Sequence, residues 1–331
     1  MKNIYKLKNI IFNYGNNSFI KDLNLEIAKS EVISFVGPNG SGKTTLLNIL
    51  SFLSFPQSGS IFFNGTKLSK DNIKTFRNNI GYVQQNPYIF RGTVYKNIEI
   101  GLKIKNFDYK TRSHRIEKIL SLLKIKHLAA RLANSLSSGE ARKVALGQTM
   151  VLEPDVLIMD EPFSNLDKNS IMELEELIIF LNKKLNKTII FTTHNQVQAQ
   201  KLAGFIFSIV KGKLFSNNFL NLFKGKFDES TNKFDTGRQL ISIYEGTKDA
   251  EYVVIDPRQI VLSLEKLDSS MQNSFYGRIV GISEDDYNIK LSIDIGENIQ
   301  AVITHQAFNK LKLSINTNIW VSFKSTAIMI F

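Results

Sequence analysis

Gly37-Pro38-Asn39-Gly40-Ser41-Gly42-Lys43-Thr44 is the stretch that decides how this chain is read. Gly37 and Gly42 are separated by four residues and followed by Lys and Thr, the spacing of a phosphate-binding loop. Glu31-Val-Ile-Ser-Phe-Val36 before it is an apolar, β-branched run, the pattern of a buried parallel strand. Thr44-Thr-Leu-Leu-Asn-Ile-Leu50 after it has helical spacing and no breaker. The residue types match the chemistry. Glycines let the backbone turn tightly and leave no Cβ between the amides and a phosphate. Those N–H groups, with the positive end of the following helix, are expected to cradle a β-phosphate, so residues 37–44 and Thr45 form the candidate nucleotide cradle. Lys43 is expected to reach the β- and γ-phosphates and the Thr44 hydroxyl to coordinate Mg²⁺.

Composition narrows the class. A chain of 331 residues, 43% of them apolar, is expected to form about two domains with ordinary cores. No apolar run approaches the roughly 20 residues of a membrane-spanning helix. Met1-Lys-Asn-Ile-Tyr-Lys-Leu-Lys8 lacks the apolar segment of a signal peptide, so a cytosolic protein is expected. The absence of cysteine excludes disulfides, thiolate metal sites and thiol catalysis. The net charge of +12 is spread over scattered lysines without a dense block, which fits a soluble basic surface. Anionic headgroups and nucleic acid are the other readings of that charge.

Outward from the loop, residues 4–12 alternate and read as an edge strand ending in Phe12-Asn-Tyr14-Gly15, and Phe19–Ile27 as a second strand. Gly59–Gly65 reads as a strand closed by an Asn-Gly turn, and Ile80–Gln85 as a short strand stopped by Asn86-Pro87. Helical periodicity covers about 94–133. Leu136-Ser-Ser-Gly-Glu140 opens another helix, with Ser137 and Ser138 as N-cap candidates and Glu140 suited to a first turn. Val156–Asp160 and Lys187–Thr193 are further apolar strands. This alternation predicts an α/β fold with a mostly parallel sheet and helices on both faces, over residues 1–223. From residue 224 to 331 short alternating segments take over. Ile289, Leu291, Ile293 and Ile295 lie on one side and Lys290, Ser292 and Asp294 on the other, predicting a small β-barrel or sandwich.

Asp160 and Glu161 end an apolar strand after the phosphate loop, where a second carboxylate must face the phosphates. Asp160 is placed to hold Mg²⁺ directly or through water, and Glu161 to polarise the attacking water as a general base.

To about residue 220 the chain resembles the nucleotide-binding subunit of ABC transporters, a P-loop NTPase fold with a helical subdomain. Leu136-Ser-Ser-Gly-Glu140 resembles that family's Leu-Ser-Gly-Gly-Gln signature, with Ser138 replacing a glycine and Glu140 the glutamine. Ser137 and Gly139 stand where the family contacts a γ-phosphate. Gln85 matches the Q-loop glutamine, a link from the Mg²⁺ site to membrane subunits; Gln84 is its neighbour, and the Tyr-Val-x-Gln spacing favours Gln85. Ser164-Asn-Leu-Asp167 resembles the D-loop, with Asn165 where alanine is frequent, and His194 matches the switch histidine. Tyr14 fits the aromatic that stacks on adenine.

The resemblance implies ATP and Mg²⁺ as cofactors and hydrolysis in a head-to-tail homodimer, where the signature of one copy completes the phosphate site of the other. It also implies separate transmembrane permease subunits, a periplasmic or lipid-anchored solute-binding protein, and a peripheral place on the cytoplasmic face of the membrane. A soluble ABC-type ATPase acting on DNA or ribosomes is the rival class. Only about 90 residues separate loop and signature, with no sustained heptads and one nucleotide domain, so nucleic acid is not expected.

The last 60 or so residues resemble the small oxyanion-binding domain (TOBE or Mop type) of molybdate and tungstate importer ATPases. Asn273–Val280, Ile299–Thr304, Leu311-Lys-Leu313 and Phe323-Lys-Ser325 carry that resemblance, with Gln272 where an arginine is frequent. Similar domains occur on sugar, polyamine, sulfate and iron importer ATPases, and a dimerising domain without ligand is the plain alternative.

Overall fold

The computed structural model describes residues 2–14, 17–215, 221–246, 250–285 and 288–330. The chain divides into two compact units, Met1–Asn218 and Phe219–Phe331.

In the first unit the strands are β1 (Asn3–Tyr14), β2 (Asn17–Ala28), β3 (Val32–Val36), β4 (Ser58–Phe63), β5 (Thr66–Lys67), β6 (Ile80–Val83), β7 (Val156–Met159), β8 (Thr188–Thr193), β9 (Phe205–Val210) and β10 (Lys213–Phe215). Its helices are α1 (Lys43–Leu50), α2 (Ile73–Arg77), α3 (Val94–Ile104), α4 (Tyr109–Leu122), α5 (Ser138–Met150), α6 (Lys168–Lys183) and α7 (Gln196–Leu202). A six-stranded sheet runs in the order β10-β9-β3-β8-β7-β6, and every pair is parallel except β9 with β10. Every residue of β3, β7 and β8 is buried, which is why these strands read as continuous apolar runs. Parallel pairing brings the C-terminal ends of β3, β6, β7 and β8 to one edge of the sheet. The segments following those ends are residues 37–44, Gln85, Asp160-Glu161 and His194.

A second, antiparallel sheet runs β2-β1-β4-β5. The expectation of an edge strand at residues 4–12 is corrected here, because β1 pairs with β2 on one side and β4 on the other. Alternation reports only which face of a strand is wet, and Lys6 and Lys8 point away from Tyr5 and Leu7 in an inner strand as in an outer one. Asn64 and Gly65, both at positive φ, form the turn between β4 and β5. Tyr5, Phe52, Phe63 and Phe76 form an aromatic cluster behind α1, with ring centroids 5.0 to 6.1 Å apart. Tyr5 donates its hydroxyl to Leu50 O at 2.9 Å, and burial pushes its pKa up. The predicted helical stretch resolves into α3 and α4, capped by Thr93 and Asp108, with Ile98, Leu102, Ile116 and Leu120 packed against Val144 of α5. Among the described residues no helix is long and apolar enough to cross a membrane.

The second unit holds β11 (Asn221–Lys224), β12 (Lys226–Asp228), β13 (Lys233–Asp235), β14 (Leu240–Ser242), β15 (Tyr252–Ile255), β16 (Val261–Ser263), β17 (Asn273–Asp285), β18 (Asn288–Asp294), β19 (Asn298–Thr304), β20 (Asn318–Phe323) and β21 (Ile328–Ile330), with one short helix, α8 (His305–Lys310). They form a five-stranded sheet, β16-β20-β17-β18-β19, and two of three strands, β11-β15-β21 and β12-β13-β14. Ile289, Leu291 and Ile293 of β18 are buried as the alternation predicts, in one core with Phe234, Ile279, Val321 and Phe323.

Candidate functional site

The loop after β3 folds tightly over the end of β9. A Cβ on Gly37 would lie 2.2 Å from the carbonyl oxygen of Ile209, so no larger residue fits without moving that strand. Gly40 and Gly42 have φ of 77° and 113°. Gly42 is the N-cap of α1 and brings no side-chain acceptor to the helix's first N–H groups, which are then available to an anion. Ser41 Oγ is buried without a hydrogen-bond partner, while Pro38 O accepts the Ser41 N–H at 3.3 Å. Lys43 folds back over its own loop, donating Nζ to Gly37 O at 2.8 Å and Pro38 O at 3.1 Å. Pro38 is half-buried, Asn39 exposed and Thr45 buried on α1.

Facing this loop are the two acids beyond β7. Thr44 Oγ1 donates to Asp160 Oδ2 at 2.6 Å, and Thr192 Oγ1 donates to Asp160 Oδ1, also at 2.6 Å. Thr192 in turn accepts the Glu161 N–H at 2.8 Å. Because β8 lies between β3 and β7, its penultimate residue ties the phosphate loop's partner acid to the next residue along. Thr192 was not singled out from the sequence. Its signal was a hydroxyl inside a strand whose burial otherwise calls for apolar side chains.

Glu161 has a φ of +42°, held by its N–H on Thr192 and by Ser164, whose Oγ donates to Glu161 O at 2.8 Å. That turn aims the carboxylate at Lys43 and His194. Oε2 lies 3.1 Å from His194 Nδ1, whose ring is largely exposed. Oε1 lies 3.5 Å from Lys43 Nζ and makes no hydrogen bond though buried. The Lys43–Glu161 pair is therefore within ion-pair range but not hydrogen-bonded. This leaves one buried carboxylate oxygen with an unfilled acceptor position beside Lys43, its sister oxygen being in contact with His194.

Two neighbours of Asp160 were also missed. Tyr82 of β6 has its hydroxyl pKa pushed up by burial and by the Asp160 charge. Arg142 of α5 is buried and donates Nη1 to Gln84 O at 3.0 Å; burial lowers its pKa and Asp160 opposes that. Gln85 itself is exposed just past β6. Asp160 and Thr44 are hard oxygen donors at hydrogen-bonding distance, a set that fits Mg²⁺ completed by phosphate and water.

The helix expected at Leu136 starts where Ser137 caps it. Ser137 Oγ accepts the Glu140 N–H at 3.2 Å and Glu140 Oε2 accepts the Ser137 N–H at 2.8 Å, a complete capping box. Ser138 donates Oγ to Asn165 O at 3.2 Å, so two of the three residues that depart from the resembled signature and D-loop contact one another. A Cβ on Gly139 would lie 2.6 Å from Ser170 Oγ, which bonds Asp167 Oδ2 at 2.8 Å in the cap of α6. Among the described residues, the side-chain hydrogen bonds of Ser137, Ser138 and Glu140 run to their own turn, Arg131 and Asn165, and none to residues 37–45. The Tyr14 side chain lies outside the described residues.

In the second unit Thr304 caps α8, accepting the Ala307 N–H at 3.2 Å, and Ser325 is buried in the turn after β20. Asn273 clamps Ser242 of β14 through both main-chain groups, at 2.7 and 2.9 Å. The registers Asn273↔Phe323, Asp285↔Asn288 and Asn288↔Thr304 place Thr304 and Lys324-Ser325 at opposite ends of β17.

A family model described as ABC transporter matches residues 20–164, and one described as TOBE domain matches residues 269–330. A putative ABC transporter ATP-binding protein of Methanocaldococcus jannaschii is 37% identical, across 69% of this chain and 84% of that protein. A molybdate/tungstate import ATP-binding protein of Pyrococcus abyssi is 28% identical across 94% of this chain and 96% of its own length. A sulfate/thiosulfate import ATP-binding protein of Mesostigma viride is 29% identical across 96% of both. Among solved structures, a dimeric ATP-binding cassette in a post-hydrolysis state with ADP and Pi superposes with a TM-score of 0.58, at 27% identity, covering 64% of this chain and 98% of that one.

Proposed function

Given that this chain belongs to the ATP-binding proteins of ABC transporters, an ABC ATPase with a C-terminal TOBE domain, we propose that it hydrolyses ATP to drive import of an oxyanion, molybdate or tungstate, through separate membrane subunits. The observation that carries the hydrolytic part is Glu161, whose buried Oε1 makes no hydrogen bond 3.5 Å from Lys43 Nζ while Oε2 lies 3.1 Å from His194 Nδ1. In this reading Lys43 exchanges its contacts to Gly37 O and Pro38 O for β- and γ-phosphate oxygens. The loop amides and α1 N-terminus take the β-phosphate. Glu161 accepts a proton from a water whose oxygen attacks the γ-phosphorus, while the bond to the bridging oxygen breaks and ADP leaves. His194 holds the Glu161 carboxylate and the γ-phosphate in one orientation. Mg²⁺, held by Thr44 and Asp160 and reached by Gln85, would neutralise phosphate charge. The start of α5, at Ser137 to Glu140, has no partner in the phosphate loop of its own chain, which supports completion of each site by a second copy.

The oxyanion reading is supported by two matches that cover 94% and 96% of the chain, to proteins named for import of molybdate/tungstate and of sulfate/thiosulfate. The opposite placement of Thr304 and Lys324-Ser325 favours an anion gripped between two C-terminal units rather than within one. A work site on the cytoplasmic face of a membrane, served by a solute-binding protein outside, completes the reading. Calorimetric titration of the full chain tests the cargo. Tungstate should bind at micromolar concentration, sulfate at least tenfold more weakly, since a few charge-assisted bonds of about 1.5–3 kcal/mol each suffice. Equal millimolar responses would return the choice to sulfate, iron, polyamine or sugar.

A further inference from the structure

The turn leading into α5 carries a charge arrangement that the reading above leaves unused. Arg131 donates Nη2 to Ser135 O at 2.6 Å and Nε to Ser135 Oγ at 3.2 Å, and its Nη1 lies 3.3 Å from Glu140 Oε1. The other Glu140 oxygen holds the Ser137 N–H, while Ser137 Oγ serves as acceptor to the Glu140 N–H. Ser137 therefore keeps its own hydroxyl proton free to donate outward. The Ser137 N–H holds the Glu140 carboxyl below the usual range, so the group is ionised at neutral pH. A carboxylate in a first turn suits the helix dipole but repels an approaching anion. Glutamine, found at this place in the resembled signature, makes the same capping bonds without the charge. Glu140 thus keeps the cap and adds a negative charge where a phosphate is to dock, and Arg131 is the cation in contact with it.

We propose that Arg131 is a positioning residue of the shared nucleotide site: it neutralises Glu140 so that the start of α5 can receive the terminal phosphate of a nucleoside triphosphate bound by a second copy, and so sets the ATP concentration at which two copies close. This rests on the shared-site reading above. The pair is partly exposed, so its effect on stability is small, but a highly charged ligand senses the local field directly.

Arg131→Gln should raise both the KM for ATP and the ATP concentration of half-maximal dimerisation about three- to tenfold, with kcat at saturating ATP within about twofold. Arg131→Lys, which retains the charge but not the fork, should recover most of that loss. In a Glu140→Gln background, Arg131→Gln should change neither quantity, and its effect in the Glu140 background should shrink at high salt. A merely structural role, through Ser135, predicts the same loss in both backgrounds and overturns the proposal. So does a wild-type ATP-dependent dimer that Arg131→Gln leaves unmoved. A full chain that hydrolyses ATP only as a monomer overturns the shared site itself, and this inference with it.

Discussion

Glu161 shows how much chemistry one residue can carry when its neighbours hold it in an unusual conformation. Its positive φ is kept by Thr192 on one side and Ser164 on the other, and the result is a buried oxygen with no hydrogen bond. Glu161→Gln retains the shape but cannot take a proton, so steady-state hydrolysis should fall on the order of 10²–10⁴-fold while ATP binding survives. Phosphate release together with equilibrium nucleotide binding checks this, and near-normal turnover would remove Glu161 from the role of base. Thr192→Val is the sharper probe of the supporting residue, being close to it in shape. It strands the Glu161 N–H and one Asp160 oxygen, so it should cost about 1–3 kcal/mol in denaturant unfolding. It should also lower kcat on the order of tenfold through misplacement of the acids, with a smaller effect on ATP affinity. An unchanged kcat would show that β8 only fills space there.

At the scale of elements, α5 is the helix whose start is spelled most fully in the sequence. Ser137 and Glu140 form the capping box because the residue types and the three-residue spacing are local requirements. The Glu140 carboxyl lies below the usual range, first because it accepts the Ser137 N–H. A group whose folded pKa is depressed contributes fully above its unfolded value, about 4.3, and loses that contribution as pH falls through the folded one. Glu140→Ala should therefore be less stable than wild type at neutral pH by about 0.3–1 kcal/mol. The gap should narrow progressively below about pH 4. Melting curves of both proteins across that range decide it, and a gap independent of pH would assign the loss to packing. For β1 the local pattern was insufficient. Its alternation reported a wet face and a dry face, but its second neighbour, β4, arrives some fifty residues later.

At the scale of the whole molecule, among the described residues, the side chains at the start of α5 make no hydrogen bond to residues 37–45 of their own chain, and the proposed reading has them serve a second copy. Two copies, each supplying what the other lacks, predict a specific complementation. A mixed dimer with Lys43→Ala in one chain and Ser137→Arg in the other puts both lesions in one shared site and leaves the second intact, so it should retain measurable ATPase activity. Homodimers carrying both changes should be inactive. Co-purification with two different tags isolates the mixed species, and its inactivity would argue against sharing.

Sequence alone determined the order of parts: strand, glycine loop and helix, then the capped α5, the acidic pair and the alternating strands of the second unit. Each of these rests on chemistry within a few residues, where a φ angle, a cap or a two-residue period leaves its mark in residue type. Tertiary structure decided what depends on partners distant in the chain. It set β1 inside its sheet, joined Thr192 to both acids, and joined Ser138 to Asn165. It also placed Thr304 and Lys324-Ser325 at opposite ends of β17. A hydrogen bond between residues scores apart in the chain depends on sheet order and register, and neither has a local period to read.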